Sequence, residues 1–284
     1  MKPSTGVTVG DIRLYAYDEP ARVDEYGVKW GVTKLDGWFD GWTGSATVDQ
    51  RTRADGGWVS PQYAGPRVIH VDGRFEAPSW DAATAAWDRL LAQVPFRQLS
   101  TLRVSTGEGA IPEQVAGVRQ HEKPLLNRHD NRATFSLSLI APDPRKYDST
   151  SRNTSLVLPL LTGGIAPPLT PPFTVTGSTS RSQVTLTNDG NVLAFPTLVL
   201  VGPCPPATIA NLTTGEALRI VDSVPADQSL VVDVLNGTAT NGGQARRVLG
   251  SWWGLVPGVN EVAFSADGYD AAAQLMLTYR SAWK

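Results

Sequence analysis

The chain has 284 residues, and 25 Lys and Arg against 27 Asp and Glu give a formal net charge of -2. This balance, without any cluster of Lys or Arg, argues against specific nucleic-acid binding. The single cysteine, Cys204, excludes an intrachain disulfide and is expected to be a small packed residue. No apolar run approaches the roughly 18 residues of a membrane span, and the first residues lack a signal-peptide core. We therefore expect that the protein does not insert into a membrane and that it is synthesised in a cytoplasm.

The first half of the chain predicts strands on both sides of one helix. Segments with alternating apolar and polar residues lie at 12–17, 28–33, 67–75, 99–105, 114–121 and 132–140. The last of these is the most regular, with Phe135, Leu137 and Leu139 on one face. This order predicts an α+β first domain, in which one helix covers a small sheet or an open split barrel.

Residues 30–63 are rich in aromatic residues and glycine. Three interpretations remain open for the tryptophans here: core packing, contact with a neighbouring subunit, or stacking on sugar rings. Aromatic residues are enriched in protein interfaces. Four tryptophans are therefore candidate subunit-interface residues: Trp30, Trp38, Trp42 and Trp58.

One helix is predicted from about residue 80 to 94. Ser79 is placed to cap its first turn, Asp81 suits the positive end of the helix dipole, and Pro95 ends it. Trp87 lies in the middle of the helix and is predicted to pack in the core. It belongs to an apolar stripe at helical spacing that comprises Trp80, Ala83, Trp87, Leu90, Leu91 and Val94.

A seam follows the 132–140 strand. Pro142 and Pro144 remove two backbone donors and fix two φ angles, so neither strand nor helix can continue through them. Asp143 and Tyr147 complete the seam as predicted structural residues. We place the domain boundary here, with domains at 1–148 and 149–284. The proline-stiffened segment at about 159–172 is expected to form a long arm or the first strand of the second domain.

The second half predicts a β-sandwich. Short alternating segments lie at 183–187, 195–201, 208–212, 217–221, 230–235, 260–264 and 273–280. Turn signals separate them, among them Asn188-Asp189-Gly190 and Asn236-Gly237. Regularly spaced short strands of this kind are typical of two packed sheets.

Several motifs in this order resemble the distal tail proteins of long-tailed bacteriophages. In the first half these are residues 65–73, the helix after them, and the Ala-Pro-Asp-Pro seam with Tyr147. In the second half they are Asn188-Asp189-Gly190 with Pro196, then 211–215, 231–233 and 255–260. The resemblance covers nearly the whole chain.

This resemblance implies a structural part of the virion tail tip, or baseplate. It implies a tail-tube-like first domain, a galectin-like second domain, and a homo-hexameric ring with a channel for DNA. The ring would join the tail tube protein to the tail hub protein. The tape measure protein and receptor-binding or other baseplate proteins are further implied partners.

Enzyme signatures are missing from the sequence. There is no G-x-S-x-G elbow, P-loop or H-E-x-x-H motif, and His70, His121 and His129 lack metal-ligand spacing. We therefore predict no catalytic residue, cofactor or metal. Two alternatives remain open: a carbohydrate-binding adhesion module at the tail tip, and a tail-associated cell-wall hydrolase whose paired carboxylates one sequence cannot reveal.

Overall fold

The structure is a computed structural model that describes residues 5–16, 22–106, 113–159 and 182–284. The chain divides into two compact units, residues 1–149 with Lys284 and residues 150–283. Apart from Pro159, the predicted proline-stiffened arm lies outside the described residues. Within them, no helix is long and apolar enough to cross a membrane.

The first unit consists of short strands and one helix. Its elements are β1 (Thr5–Val9), β2 (Ile12–Leu14), β3 (Lys29–Asp36), β4 (Gly44–Ser45), β5 (Val48–Gln50), β6 (Gly57–Val59), β7 (Tyr63–Ala64), β8 (Arg67–Glu76), α1 (Trp80–Ala92), β9 (Ser100–Thr106), β10 (Gln114–Gln120), β11 (Leu125–His129), β12 (Arg132–Ala141) and β13 (Lys146–Asp148).

An antiparallel sheet organises this unit in the order β2-β1-β9-β10-β12-β8-β3, while β11 pairs with β12 and β13 with β10. The longest ladder joins β8 to β12, from Arg67 opposite Ala141 to Glu76 opposite Arg132. Alternate residues of both strands are buried, so one face of the sheet lies on the core and the other is polar.

The helix packs on the buried face through small residues and one large one. Ala83, Ala86 and Leu90 are its buried residues, and Ser79 accepts a hydrogen bond from the Ala82 amide at 3.2 Å. Trp87 is half-buried and packs against the core, with its ring 6.4 Å from Phe135.

Trp80 lies off the packed face of the helix. Its side chain is 58% exposed, and the Arg128 guanidinium covers its ring at 3.4 Å. The apolar stripe predicted from the sequence therefore reaches the core through only some of its members.

The second unit contains two antiparallel sheets. Its strands are β14 (Arg152–Val157), β15 (Ser182–Asn188), β16 (Thr197–Val201), β17 (Ala207–Asn211), β18 (Glu216–Ile220), β19 (Ser229–Asp233), β20 (Thr238–Asn241), β21 (Gln244–Ala245), β22 (Val248–Gly250), β23 (Gly258–Ala266), β24 (Gln274–Tyr279) and β25 (Ala282–Trp283). One sheet has the order β14-β24-β16-β19-β20-β21 and the other β15-β23-β17-β18-β22. Together they form a β-sandwich.

Three fully buried asparagines fix the loops of this sandwich. Asn188 donates to the Leu255 carbonyl at 3.0 Å, Asn211 donates to the Gly254 carbonyl at 3.1 Å, and Asn260 donates to the Val256 carbonyl at 2.8 Å. Buried amides of this kind satisfy backbone groups that no strand ladder reaches.

The predicted fold class is wrong. Of the residues that the structure describes, 53% lie in strands and 5% in the helix, so the fold is nearly all β rather than an α+β first domain with a separate galectin-like second domain. The capped helix is the most conspicuous local pattern in the sequence, but it only covers a sheet. The hydrogen-bonded framework of the first unit is β throughout, since a single 13-residue helix does not build a layer of its own.

Candidate assembly surface

Arg67 organises the most heavily hydrogen-bonded part of the first unit. Its side chain is buried, and Nη1 donates to the carbonyls of Gly37, Trp38 and Asp40 at 2.7, 3.2 and 3.0 Å. Its Nε donates to the Pro144 carbonyl at 3.0 Å. Burial lowers the pKa of Arg67, although nearby Asp40 raises it. One guanidinium thus ties the loop after β3 to the proline seam.

Lys146 is a second buried cation at the same place. Its Nζ donates to the Trp38 carbonyl at 3.2 Å. Burial, and to a lesser extent the charge of Arg67, lowers the pKa of Lys146 to about 8. Because the desolvation of a charge costs free energy, the burial of these two cations lowers the stability of the folded protein. We call Arg67 and Lys146 the root clamp.

The proline seam has its own hydrogen bonds. Asp143 accepts from the Arg145 amide at 3.1 Å and also from the Tyr147 hydroxyl. Burial, the charge of Asp143 and this hydrogen bond raise the pKa of Tyr147 above its usual value. Pro142 is exposed, whereas Pro144 is buried and receives the Arg67 bond. The seam is therefore a rigid turn and not a loose linker.

The four candidate tryptophans do not lie on one surface. Trp30 and Trp38 are 2% and 1% exposed, so they are core residues rather than interface residues. Trp42 is half-buried and donates to the Pro144 carbonyl at 3.3 Å. Trp58 is 67% exposed and is the member of the set that is available to a partner.

Trp58 belongs to a long β-hairpin, residues 43–66, which we call the arm. In it β4 pairs with β7 and β5 with β6, and within the described residues these four strands join no other sheet. The Gly65 amide donates to the Thr43 carbonyl at 2.8 Å at its base, and the Arg51 amide donates to the Gly56 carbonyl at its tip. Gly56 has φ of 91°, a conformation that suits glycine in a tight turn.

The described residues also include a buried thiol and a cleft lined by charged residues. The described residues contain no group of three or more His, Cys, Asp or Glu that could hold a metal ion. Burial raises the pKa of the Cys204 thiol to about 11, so it is protonated at neutral pH and is a poor nucleophile. A cleft of about 560 Å³ is lined by both signs of charge, including Arg74, Glu76 and Arg132.

Comparison with solved structures identifies the architecture. The crystal structure of the Dit (gp 19.1) protein of phage SPP1, described as a paradigm of the hub adsorption apparatus in phages infecting Gram-positive bacteria, is similar to this chain. The TM-score is 0.62 at 12% identity, and the likeness covers 99% of each chain. The chain has the fold of a phage distal tail protein. The resemblance noted in the sequence is thereby confirmed at the level of the fold.

Two further structures are more distant. Structures of the phage P2 baseplate in its activated conformation, with Ca and with Sr, give TM-scores of 0.49 and 0.48 at 10% and 11% identity. Each likeness covers 97% of both chains. No protein-family model and no curated protein matches the sequence.

The root clamp and the arm's strands were missed by the sequence reasoning. For Arg67 a signal was present, because the alternation that places Ile69, Val71 and Phe75 on one face of β8 places Arg67 on the same face. Lys146 stands in the three-residue strand β13, which is too short to show a period. The strands of the arm have two or three residues each, so the sequence signal for the hairpin was limited to the polar stretch at residues 51–57 between them.

Proposed function

We propose that this chain is a structural component of the phage tail tip, where it forms a ring that joins the tail tube to the tail hub. The observation that carries the proposal is the distal-tail fold over 99% of the chain.

The ring we propose is a homohexamer around a channel through which DNA leaves. A ring of one chain needs heterologous contacts, in which one surface of a copy meets a different surface of the next copy. The first unit offers a projecting hairpin that is separate from its main sheet. A two-faced element of this kind suits head-to-tail association.

The polar face of the main sheet suits the wall of such a channel. Charges of both signs alternate closely on it, from Lys29, Lys34, Asp36, Asp72, Arg74, Glu76 and Arg132. Arg132 pairs with Glu76 at 3.1 Å, and Lys34 pairs with Asp36. Paired charges leave little positive potential to retain a polyanion by counterion release. We expect a neutral or acidic lumen.

The proposed partners follow from this position. They are the tail tube protein above the ring, the tail hub protein below it, the tape measure protein within it, and receptor-binding or other baseplate proteins around it. Assembly would take place in the host cytoplasm. Each contact is testable by purification of tails that carry a tagged copy of this chain.

Localisation in purified virions tests the proposal. A tag at Lys284 should be labelled at the distal end of the tail and at no other place. Labelling along the tube or on the head would contradict the proposal. Release of cell-wall fragments that ends on replacement of one carboxylate would favour the hydrolase alternative, and glycan binding by the second unit would favour the adhesion alternative.

A further inference from the structure

The root clamp places two positive charges side by side inside the first unit. Arg67 and Lys146 are each 6% exposed, and Trp38, whose carbonyl oxygen both of them bind, is 1% exposed. Arg67 Nη1 and Lys146 Nζ each lie 3.2 Å from that oxygen, so one carbonyl group holds both cations. Burial lowers the pKa of Lys146 and the charge of Arg67 lowers it further, because the two cations repel each other.

No carboxylate group among residues 5–16, 22–106 and 113–159 pairs with either cation. The ion pairs described for the first unit join partly exposed side chains, and none of them includes Arg67 or Lys146. Burial lowers the pKa of Arg67, whereas the charge of Asp40, an exposed residue, raises it. Buried charges are normally paired, because the desolvation of an isolated ion is very costly. The root clamp therefore carries positive charge that the described residues do not balance.

The root clamp also has hydrogen-bond donors that are not used. Nε and Nη1 of Arg67 donate to four carbonyls, but Nη2 of the same guanidinium is buried and has no partner among the described residues. Lys146 Nζ carries three donors, and the one hydrogen bond described for it goes to the Trp38 carbonyl. Buried donors almost always have a partner, so an unused one requires an explanation. The unused donors and the unbalanced charge belong to the same two side chains.

We propose that the root clamp is a binding site for a small monovalent anion, for which chloride is the probe. Arg67 Nη2 and Lys146 Nζ donate to the anion, and its negative charge offsets the repulsion between the two side chains. A water molecule would satisfy the donors but would leave the charge unbalanced. The inference concerns a single copy of the chain, so it does not depend on the proposed ring.

The surroundings of the root clamp favour a small anion over a large one. Trp38 and Pro144, whose carbonyls the clamp binds, are buried, and the Trp38 ring lies 5.9 Å from Lys146 Nζ. An anion at this place therefore lies among buried groups and not on the surface. A phosphate group presents several acceptor oxygens and more than one negative charge, and a nucleic-acid backbone needs an open basic surface. A halide requires only a few donors and little space.

Binding of the anion stabilises the base of the arm. The root clamp ties residues 37–40, which precede the arm, to the proline seam, and Arg67 follows directly after the arm. An ion that binds the folded chain and not the unfolded chain raises the free energy of unfolding in proportion to the logarithm of its concentration. The stability of the first unit should therefore depend on the identity of the anion in solution.

Urea unfolding of the full chain at neutral pH tests the inference, because Lys146, with a pKa of about 8, is then largely protonated. Chloride replaces gluconate at constant ionic strength, so the screening of surface charges does not change. About 0.2 M chloride should raise the midpoint of unfolding by at least about 0.3 M urea. An unchanged midpoint would overturn the inference.

A pair of matched substitutions assigns this shift to the root clamp. Lys146→Gln removes one cation of the site and keeps a side chain that can donate to the Trp38 carbonyl, and it should lose most of the chloride-dependent shift. Lys123→Gln removes an exposed lysine outside the clamp and should keep the shift. A shift of the same size in Lys146→Gln would contradict the inference.

Anomalous scattering from crystals grown in bromide locates the ion directly. We expect bromide within hydrogen-bonding reach of Arg67 Nη2 and Lys146 Nζ. Bromide found only at other positions would overturn the inference. Bromide at the clamp together with a midpoint that does not respond to chloride would identify an adventitious ion only, and this result would overturn the inference as well.

Discussion

Two buried cations, Arg67 and Lys146, fix the base of the arm in the first unit. Arg67 gives four hydrogen bonds to backbone carbonyls, and Lys146 gives one more to Trp38. Leaving those carbonyls without donors would cost about 1–3 kcal/mol for each buried group. The clamp is therefore stabilising through its hydrogen bonds although each buried charge is costly.

Lys146 should make stability depend on pH in a defined direction. Its pKa is about 8 in the folded protein, against the ordinary lysine value of 10.5 that applies to the unfolded chain. Between these values the unfolded chain binds more protons, so the free energy of unfolding rises with pH. The Lys146→Met variant lacks this titrating group, so its free energy of unfolding should not show the rise. From pH 8 to 10.5, the free energy of unfolding of the natural protein should increase relative to that of the variant by up to about 3 kcal/mol.

Denaturant unfolding of both proteins across that range is the measurement. Cys204, whose pKa is raised to about 11, lowers stability as pH rises above about 9, but it does so in both proteins and cancels in their difference. Parallel stability curves for the two proteins would show that Lys146 does not titrate in this window.

At the scale of elements, the helix shows which structural features a local sequence pattern predicts. Its start at Trp80 and its Ser79 cap agree with the sequence pattern, and its end at Ala92 comes two residues before the predicted one. Burial within it did not follow the pattern completely, because Trp80 meets Arg128 and solvent instead of the core. Helical spacing gives the apolar stripe, but neighbouring elements decide how much of it is covered.

Three alanine substitutions separate these environments. Leu90→Ala, at a fully buried site, should lower the free energy of unfolding by about 2–5 kcal/mol. Trp87→Ala should cost about 3 kcal/mol, at the lower end for a large aromatic, because its side chain is only half-buried. Trp80→Ala should cost under about 1 kcal/mol, as surface changes do. A Trp80 effect as large as that of Leu90 would contradict this ranking.

The long strands were predictable, whereas the strands of the arm, with two or three residues each, were not. The segments at 67–75 and 132–140 correspond to β8 and β12, since ten residues of alternation leave little ambiguity. The strands of the arm, β4 to β7, have two or three residues each, which is too short for any period to be recognised. The candidate surface therefore depended on the structure, although Trp58 was among the residues proposed from the sequence.

At the scale of the whole molecule, the chain consists of two compact units, residues 1–149 with Lys284 and residues 150–283. Each contains antiparallel strand ladders among its own residues and its own buried side chains. A unit of this size can bury enough apolar surface to fold alone. Independent folding of the two predicted domains remains a prediction.

Expression of residues 150–284 tests it. The fragment should be soluble, rich in β structure, and cooperative in thermal unfolding, because the Asn188, Asn211 and Asn260 bonds to its loops lie within it. An insoluble or molten fragment, with cooperative unfolding only in the full chain, would contradict the boundary near residue 149.

The copy number at the tail tip tests the central claim most directly. A reconstruction of the intact tail tip, without imposed symmetry, measures how many copies of this chain surround the axis. We expect six copies, in a closed ring between the tube and the hub. A copy number that is neither six nor a multiple of six, or an open arrangement of copies, would contradict it.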